Sequence, residues 1–368
     1  MTAAGKVMNF VVAAVALPPP LHGQSLVNKA ITDRLRHKTP IAVVDLSPGS
    51  LNRDIFYHLR RLWMALYTAA VLVFHASRHR KTFYTVVEAG AGMTYTVFLT
   101  SIAKRLGYQL FLHHHASNYL LHFAPIFDRL ARNTGSETVH IVGSELMARD
   151  LRSTYPTVKA ITISTNVCHI EAGQFSKFRP RSAQSLKIGF LSNLTMEKGL
   201  GRAIAVASRL KATGASVDLI LAGPLIEDEA RHAFEAARPM LGDNLSYLGP
   251  VIGSAKADFF NSIDIFLFPT TYRHETHGLV VFEAMSYGVP VIVNDTGYTA
   301  EFARGSGIVV APGEDFVERS VDTISYWATH RDELAAQSAV SRQAYERLRA
   351  DSEKQYERLV DSICGDRN

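Results

Sequence analysis

Two apolar runs bracket the stretch that most restricts what this chain can fold into. Ile263 to Phe268 is closed by Pro269 and reads as a buried strand followed by a loop. Val291 to Val293 reads as a second strand, ending in the turn Asn294-Asp295-Thr296-Gly297. Between them, the residues after Gly278 carry Val281, Ala284 and Met285 on one side of a predicted helix. Gly288 stands where a helix C-cap glycine belongs, and Pro290 follows as a stop signal. A strand, a loop, a helix and a strand in this order form one unit of a parallel α/β sheet. The unit places Glu275 in the loop and Glu283 about two turns into the helix, facing one crevice at different depths. A helix N-terminus with a glycine lies between them, and its free N–H groups favour a phosphate. Two hydroxyl-binding carboxylates beside a phosphate cradle describe a site for a sugar nucleotide. The competing reading is an ordinary βαβ unit in which Glu283 is a solvated helix residue.

The same alternation runs along the rest of the chain. In residues 1–180 the strand candidates are Asn9–Leu17, Ile41–Leu46, Thr85–Glu88, Gln109–His113, Val139–Val142 and Ala160–Ser164. The helix candidates are Ser25–Arg36, Leu51–Ala76, Gly92–Arg105 and Ser144–Ser153. Residues 172–186 are polar and basic and contain Pro180, which reads as a linker. The alternation restarts at Leu186, with helices near 200–212, 227–238, 254–262, 278–287 and 315–330, and a charged helical stretch from Arg331 to Cys364. The length of 368 residues suits two domains. These are expected at 1–180 and 181–344, with a final helix near 345–368.

The region around Glu275 and Glu283 resembles the E-x7-E motif of the family 4 retaining glycosyltransferases, within the group 1 glycosyl transferases. The surrounding words fit: Pro-Thr before Glu275, then Gly-Leu-Val, Glu-Ala-Met and Gly-x-Pro-Val-Ile. Leu186 to Gly199 looks like the family's strand and donor loop, and Val217 to Gly223 and Leu245 to Gly249 look like its next strands. The resemblance is specific over 186–315. It implies an α/β GT-B fold, two Rossmann-like doubly wound domains facing a central cleft, with the final helix packed back on the N-terminal domain.

It also implies roles. Glu283 grips the ribose, and Glu275 holds hydroxyls of the donor sugar. Lys198, with the backbone at His277, Gly278, Leu279 and Val280, steadies the departing diphosphate. Asn193 departs from the pattern, because the family commonly has an arginine there; Arg273 is a candidate substitute cation. Without the neighbouring pattern, Lys198 would read as a surface lysine. Gly23 resembles the family's glycine loop near the donor phosphate, although one glycine stands where two are usual, and a plain βα loop is the rival reading. Ser25 suits an N-cap there.

His113, His114 and His115 close a strand, and alternation places His113 and His115 on one face. The family's histidine at this strand end matches His115 best, contacting the donor sugar or the acceptor. His22, Gln24 and His113 are assigned to the acceptor side. Structural histidines are the competing reading, and no third ligand beside a His-x-His pair is evident for a metal. Catalysis is assigned to Glu275, Lys198 and His115, with no Asp-x-Asp motif and no metal or other cofactor required.

The expected function is transfer of a sugar from a nucleotide-diphosphate sugar, with retention, to a glycan or lipid-linked saccharide in surface polysaccharide biosynthesis. The rivals are a GT-B nucleotide-sugar epimerase, a non-catalytic partner subunit and a secreted sugar-binding protein. The last rests on Lys6, the apolar Met8 to Leu17 and Ala14-Val15-Ala16, which mimic a signal peptide; a first buried strand is the favoured reading. A net charge of +5 suits an anionic partner, and no zinc spacing or aromatic-basic pattern points to nucleic acid. Two distant cysteines, Cys168 and Cys364, suit a reduced cytoplasmic protein. Between Arg53, Arg60 and Arg61 on one side and Arg78, His79, Arg80 and Lys81 on the other, Trp63 to Phe74 is almost wholly apolar. That segment reads as a peripheral contact with an anionic membrane surface or as a core-packed helix with solvated ends.

Overall fold

The computed structural model describes residues 8–19, 23–47, 55–171, 173 and 185–366. The chain divides into two compact units, Ile170–Ala350 and a unit made of Met1–His169 with Asp351–Asn368. Most of the predicted linker, and His22 with it, lies outside the described residues.

The first unit runs β1 (Phe10–Val15), α1 (Gly23–Lys38), β2 (Ile41–Asp45), α2 (Ile55–Phe74), β3 (Lys81–Val87), α3 (Met93–Arg105), β4 (Gln109–His114), α4 (Asn118–Leu121), α5 (Pro125–Thr134), β5 (Val139–Val142), α6 (Glu145–Thr154) and β6 (Ile161–Ile163). Its six strands are all parallel, in the order β2-β1-β3-β4-β5-β6. The signal-like segment therefore contains an interior strand, Phe10–Val15, buried along its whole length. Its alternate residues feed two cores. Val11, Ala13 and Val15 pack with α1 and with Leu359, Val360 and Ile363 near the C-terminus. Phe10, Val12 and Ala14 pack with Leu72, Leu99 and Ala103 from α2 and α3. A period of two on a strand covered on both faces requires apolar residues at every position, which is why this strand imitates a leader. Polar bonds hold the C-terminal segment in place. Lys38 Nζ meets Asp361 at 2.7 Å and Glu357 at 3.0 Å, and Asn9 Nδ2 donates to the Ile363 carbonyl at 2.7 Å.

The second unit runs β7 (Leu186–Leu191), α7 (Leu200–Ala212), β8 (Val217–Ala222), α8 (Asp228–Leu241), β9 (Leu245–Tyr247), α9 (Ser254–Ser262), β10 (Ile265–Phe268), α10 (Leu279–Ser286), β11 (Val291–Asn294), α11 (Thr299–Ala303), β12 (Ile308–Val310), α12 (Phe316–Thr329) and the start of α13 (Arg331–Ile363). Its six parallel strands are ordered β12-β11-β10-β7-β8-β9. Both sheets are doubly wound, as the alternation predicts.

Four local expectations are corrected. β3 begins at Lys81, four residues before the predicted start, so Lys81 belongs to the strand. Helix α1 starts at Gly23, which puts Ser25 inside it, fully buried, and not at the N-cap. Helix α5 went unrecognised although Pro125 at its start and Phe127, Leu130, Ala131 and Thr134 on its buried side mark it. Helix α10 begins only at Leu279, because Gly278 is left-handed (φ +51°), so Glu283 lies about one turn in and not two.

Candidate active site

In the second unit the chain leaves β7 toward β8 and β9 on one side, then returns to place β10 on the other side of β7. Ligands of open α/β sheets gather at such a reversal, beyond the carboxyl ends of the strands. Here those ends carry the β7–α7 loop with Lys198 and the β10–α10 loop with Glu275. The two loops are stitched together. Thr271 donates from both its N–H and its hydroxyl to the Glu197 carbonyl, at 2.9 and 3.0 Å. Gly199 is left-handed (φ +101°), and a Cβ there would lie 2.6 Å from the Pro269 carbonyl oxygen, so only glycine permits the approach.

The result is a close ion pair. Lys198 Nζ lies 2.6 Å from Glu275 Oε2, with both side chains mostly buried. The ammonium also sits 4.3 Å from the centre of the Tyr272 ring. The other oxygen, Glu275 Oε1, accepts from the Gly278 N–H at 3.1 Å, and the Glu275 carbonyl accepts from Tyr298 N–H at 3.0 Å. The Gly278 amide is thus held by Glu275 and is not free for a phosphate. A Cβ on Gly278 would come within 2.7 Å of Thr299.

Glu283 takes a different lysine. Its Oε1 lies 2.6 Å from Lys256 Nζ on α9. Burial pushes the Glu283 carboxyl up, Lys256 draws it back and Glu171 raises it further. Lys256 therefore offsets part of the upward shift that burial imposes on this carboxyl. Leu279 and Val280 form the first turn of α10, half-buried. His277 is buried and lies parallel to Phe302, with 6.2 Å between ring centres. Asn193 and Arg273 are exposed. The cation that the fold brings to the strand reversal is Arg202, whose guanidinium donates to the Pro269 carbonyl at 3.3 Å. Sequence reasoning missed Arg202, Lys256 and Tyr272. Arg202 was the accessible one, four residues beyond Lys198 on the same helical approach.

In the first unit, His115 and Gln24 line one cavity, described below. His113 shares a face with His115, as alternation requires, their ring centres 4.1 Å apart. Yet His113 is closed off from solvent and its Nδ1 pairs with Tyr84 Oη at 2.8 Å, so it backs His115 and does not itself face an acceptor. His114 points to the opposite face, bonded to Tyr119 Oη and His140, each at 2.9 Å. Among the described residues, no cluster of three or more His, Cys, Asp or Glu could hold a metal ion.

Residues 174–345 match the family of glycosyl transferases group 1. That match covers 172 of the 368 residues, just under half of the chain. The matched segment carries Lys198, Glu275 and Glu283. The chain is also 31% identical over 121 residues to the lipopolysaccharide core biosynthesis mannosyltransferase LpsB of Rhizobium meliloti. That match spans 32% of this chain and 33% of the relative, about a third of its length. The fold has solved counterparts. HepE of Anabaena, crystallised with UDP, superposes with a TM-score of 0.68 at 16% identity, over 97% of this chain and 99% of that one. WaaG, a glycosyltransferase involved in lipopolysaccharide biosynthesis, gives 0.62 at 16% identity, over 96% of this chain and 100% of that one. The fold class is therefore the expected one, α/β of the GT-B type.

Proposed function

We propose that the chain is a retaining glycosyltransferase that moves a sugar from a nucleotide-diphosphate sugar to a glycan or lipid-linked saccharide, in surface polysaccharide biosynthesis. The observation that carries this reading is the Lys198–Glu275 pair beside Gly278, at the strand reversal of a group 1 domain. The names of LpsB and WaaG and the UDP held by HepE support it. Lys198 neutralises the diphosphate as it leaves, Glu275 then receives the donor sugar's hydroxyls, and Glu283 receives the ribose. The leaving phosphate serves as base for the acceptor hydroxyl, and the account calls on no divalent ion. A panel of nucleotide sugars should contain one that raises the melting temperature of the protein and is turned over with a saccharide acceptor. Glu283→Ala should weaken that nucleotide by about 1–3 kcal/mol in calorimetry, the usual worth of hydrogen bonds to a charged group. A panel without a binder would defeat the reading. Unchanged affinity in the variant would remove Glu283 from the nucleotide site.

The lipid-linked alternative has its own support in α2. Ile55, Phe56, Leu59, Leu62, Trp63, Leu66, Tyr67, Val73 and Phe74 are all exposed, along one helical stripe. The other side of α2 packs on the core through buried Ala65, Thr68 and Leu72, with Met64, Ala69 and Val71 partly buried beside them. Soluble proteins rarely leave so continuous an apolar patch uncovered. Exposed Arg60, Arg78, His79 and Arg80 flank it, matching an anionic bilayer surface. Arg61 is turned inward and does not take part. No helix among the described residues is long and apolar enough to cross a membrane. We expect cosedimentation with anionic liposomes to exceed that with neutral ones and to fall at high salt, each basic residue being worth about 1 kcal/mol at the surface. Equal failure with both would leave the acceptor soluble.

A further inference from the structure

The first unit has its own strand reversal. The chain passes from β1 to β2 on one side and places β3 on the other. Beyond the carboxyl ends of β1, β2, β3 and β4 lies a cavity of about 250 Å³. It is smaller than the roughly 300–1,000 Å³ of a pocket for a drug-sized ligand, and suits a single ring. Its polar lining is Gln24 from α1, Tyr57 and Arg61 from α2, Glu88 after β3 and His115 after β4.

Arg61 and Glu88 form an ion pair inside this lining. The pair is built into the fold. Arg61 Nη1 donates to Tyr57 Oη at 3.1 Å, and the guanidinium lies 5.0 Å from the centre of the Tyr95 ring. Gly92 makes room for it, because a Cβ there would collide with the Glu88 carboxylate. Burial works against the Arg61 charge, and Glu88 more than restores it. Neither residue belongs to the apolar cores that cover the two faces of the sheet. A half-buried ion pair contributes little to stability by itself, which makes its place in a cavity a pointer to ligand recognition.

The pair supplies donors and an acceptor side by side with no net charge. Gln24 adds an amide that both donates and accepts, and Tyr57 adds a ring face. Adjacent donors and acceptors with an aromatic wall fit the vicinal hydroxyls and the apolar face of a sugar ring. A carboxylated or phosphorylated ring would bring a charge that the pair, neutral as a whole, does not balance, and would have to compete with Glu88 for Arg61. We propose that this cavity is the subsite for one neutral sugar unit of the acceptor, read by Glu88 and Arg61 and walled by Tyr57. The proposal rests on the glycosyltransferase reading for the word acceptor, and on the cavity alone for sugar binding.

Saturation-transfer NMR on the full chain tests it, with methyl α-glucopyranoside and methyl α-mannopyranoside as neutral probes and glucuronic acid and glucose 6-phosphate as anionic ones. At least one neutral probe should bind, at least about tenfold more tightly than the anionic pair. Glu88→Gln should weaken it by about tenfold or more, the scale of losing a hydrogen bond to a charged group. Gln24→Ala, which leaves the ion pair in place, should weaken it severalfold and guards against misfolding of the first variant. No binding by either neutral probe, preference for the anionic sugars, or equal binding by wild type and both variants would each overturn the proposal. Nucleotide affinity, measured on the same samples, separates the two readings. Nucleotide binding without neutral-sugar binding sinks the subsite alone. Neutral-sugar binding without any nucleotide binding sinks the glycosyltransferase reading and leaves a sugar site.

Discussion

Lys198→Ala should lower turnover by about 10²–10³-fold at saturating donor and acceptor, the usual cost of removing one preorganised group that meets developing charge. Donor affinity should fall much less, because charge accumulates on the diphosphate only as the glycosidic bond breaks. The structure adds a second consequence. Lys198 is the lysine against Glu275, so the variant leaves a mostly buried carboxylate without its cation, while the Gly278 N–H still holds Oε1 in place. Glu275→Gln should therefore lose activity to a similar extent from the other side of the pair, with the loop conformation kept by the Tyr298–Glu275 backbone bond. Steady-state kinetics decide the matter. Wild-type turnover in Lys198→Ala would remove it from the mechanism. Losses that multiply in the double variant would show two independent roles in place of one coupled pair.

The first unit should lose stability steeply as pH falls from about 6.5 to 5. Three of its histidines are held neutral. Burial lowers His140 to about 3 and His169 to about 4, and burial together with His140 and His115 keeps His114 well below the ordinary range. In the unfolded chain each would titrate near 6.5. The folded values are depressed, so the unfolded state binds more protons and stability rises with pH. The contribution is complete above about pH 7. It is lost as pH falls from 6.5 toward 4 for His169 and toward 3 for His140. Each of His140 and His169 costs about 1.4 kcal/mol per pH unit within the window, so the two together remove about 4 kcal/mol by pH 5, and His114 acts in the same direction. That is a large fraction of the whole stability of many domains. Urea unfolding at pH 7, 6 and 5 should show this slope, equivalent to an uptake of about two protons or more. His169 packs edge-on against Tyr356, with 4.8 Å between ring centres, so His169→Phe should keep the packing and reduce the slope by one proton. A flat profile across this range would contradict the buried, neutral assignment.

Much of the site was legible because its parts are local in sequence. Lys198 follows a strand and precedes a glycine whose backbone only glycine adopts, and Glu275 and Glu283 flank Gly278 within one strand–loop–helix unit. Periodicity and helix signals act over a few residues, so the chain itself displays them. The histidine run was half legible. Strand alternation put His113 and His115 on one face, but it could not tell that Tyr84 closes off one ring and leaves the other lining a cavity.

What the sequence by itself determined is the succession of strands and helices, their α/β class and the residues that punctuate the β7–α7 and β10–α10 loops. These follow from the pattern of apolar positions and from glycine and proline stereochemistry, which need no distant partner. The tertiary structure alone decided which charges meet. Lys256 and Glu283 are 27 positions apart, Lys198 and Glu275 are 77, and Arg61 and Glu88 are 27, and each pair comes together only through the order of strands in its sheet. The tertiary structure also decided which side of α2 is covered. Its residues are apolar almost all round, so no amphipathic stripe marks a buried face, and the choice fell to the sheet and α3, which bury Ala65, Thr68 and Leu72, partly cover Met64, Ala69 and Val71, and leave Trp63 and Phe74 to the solvent.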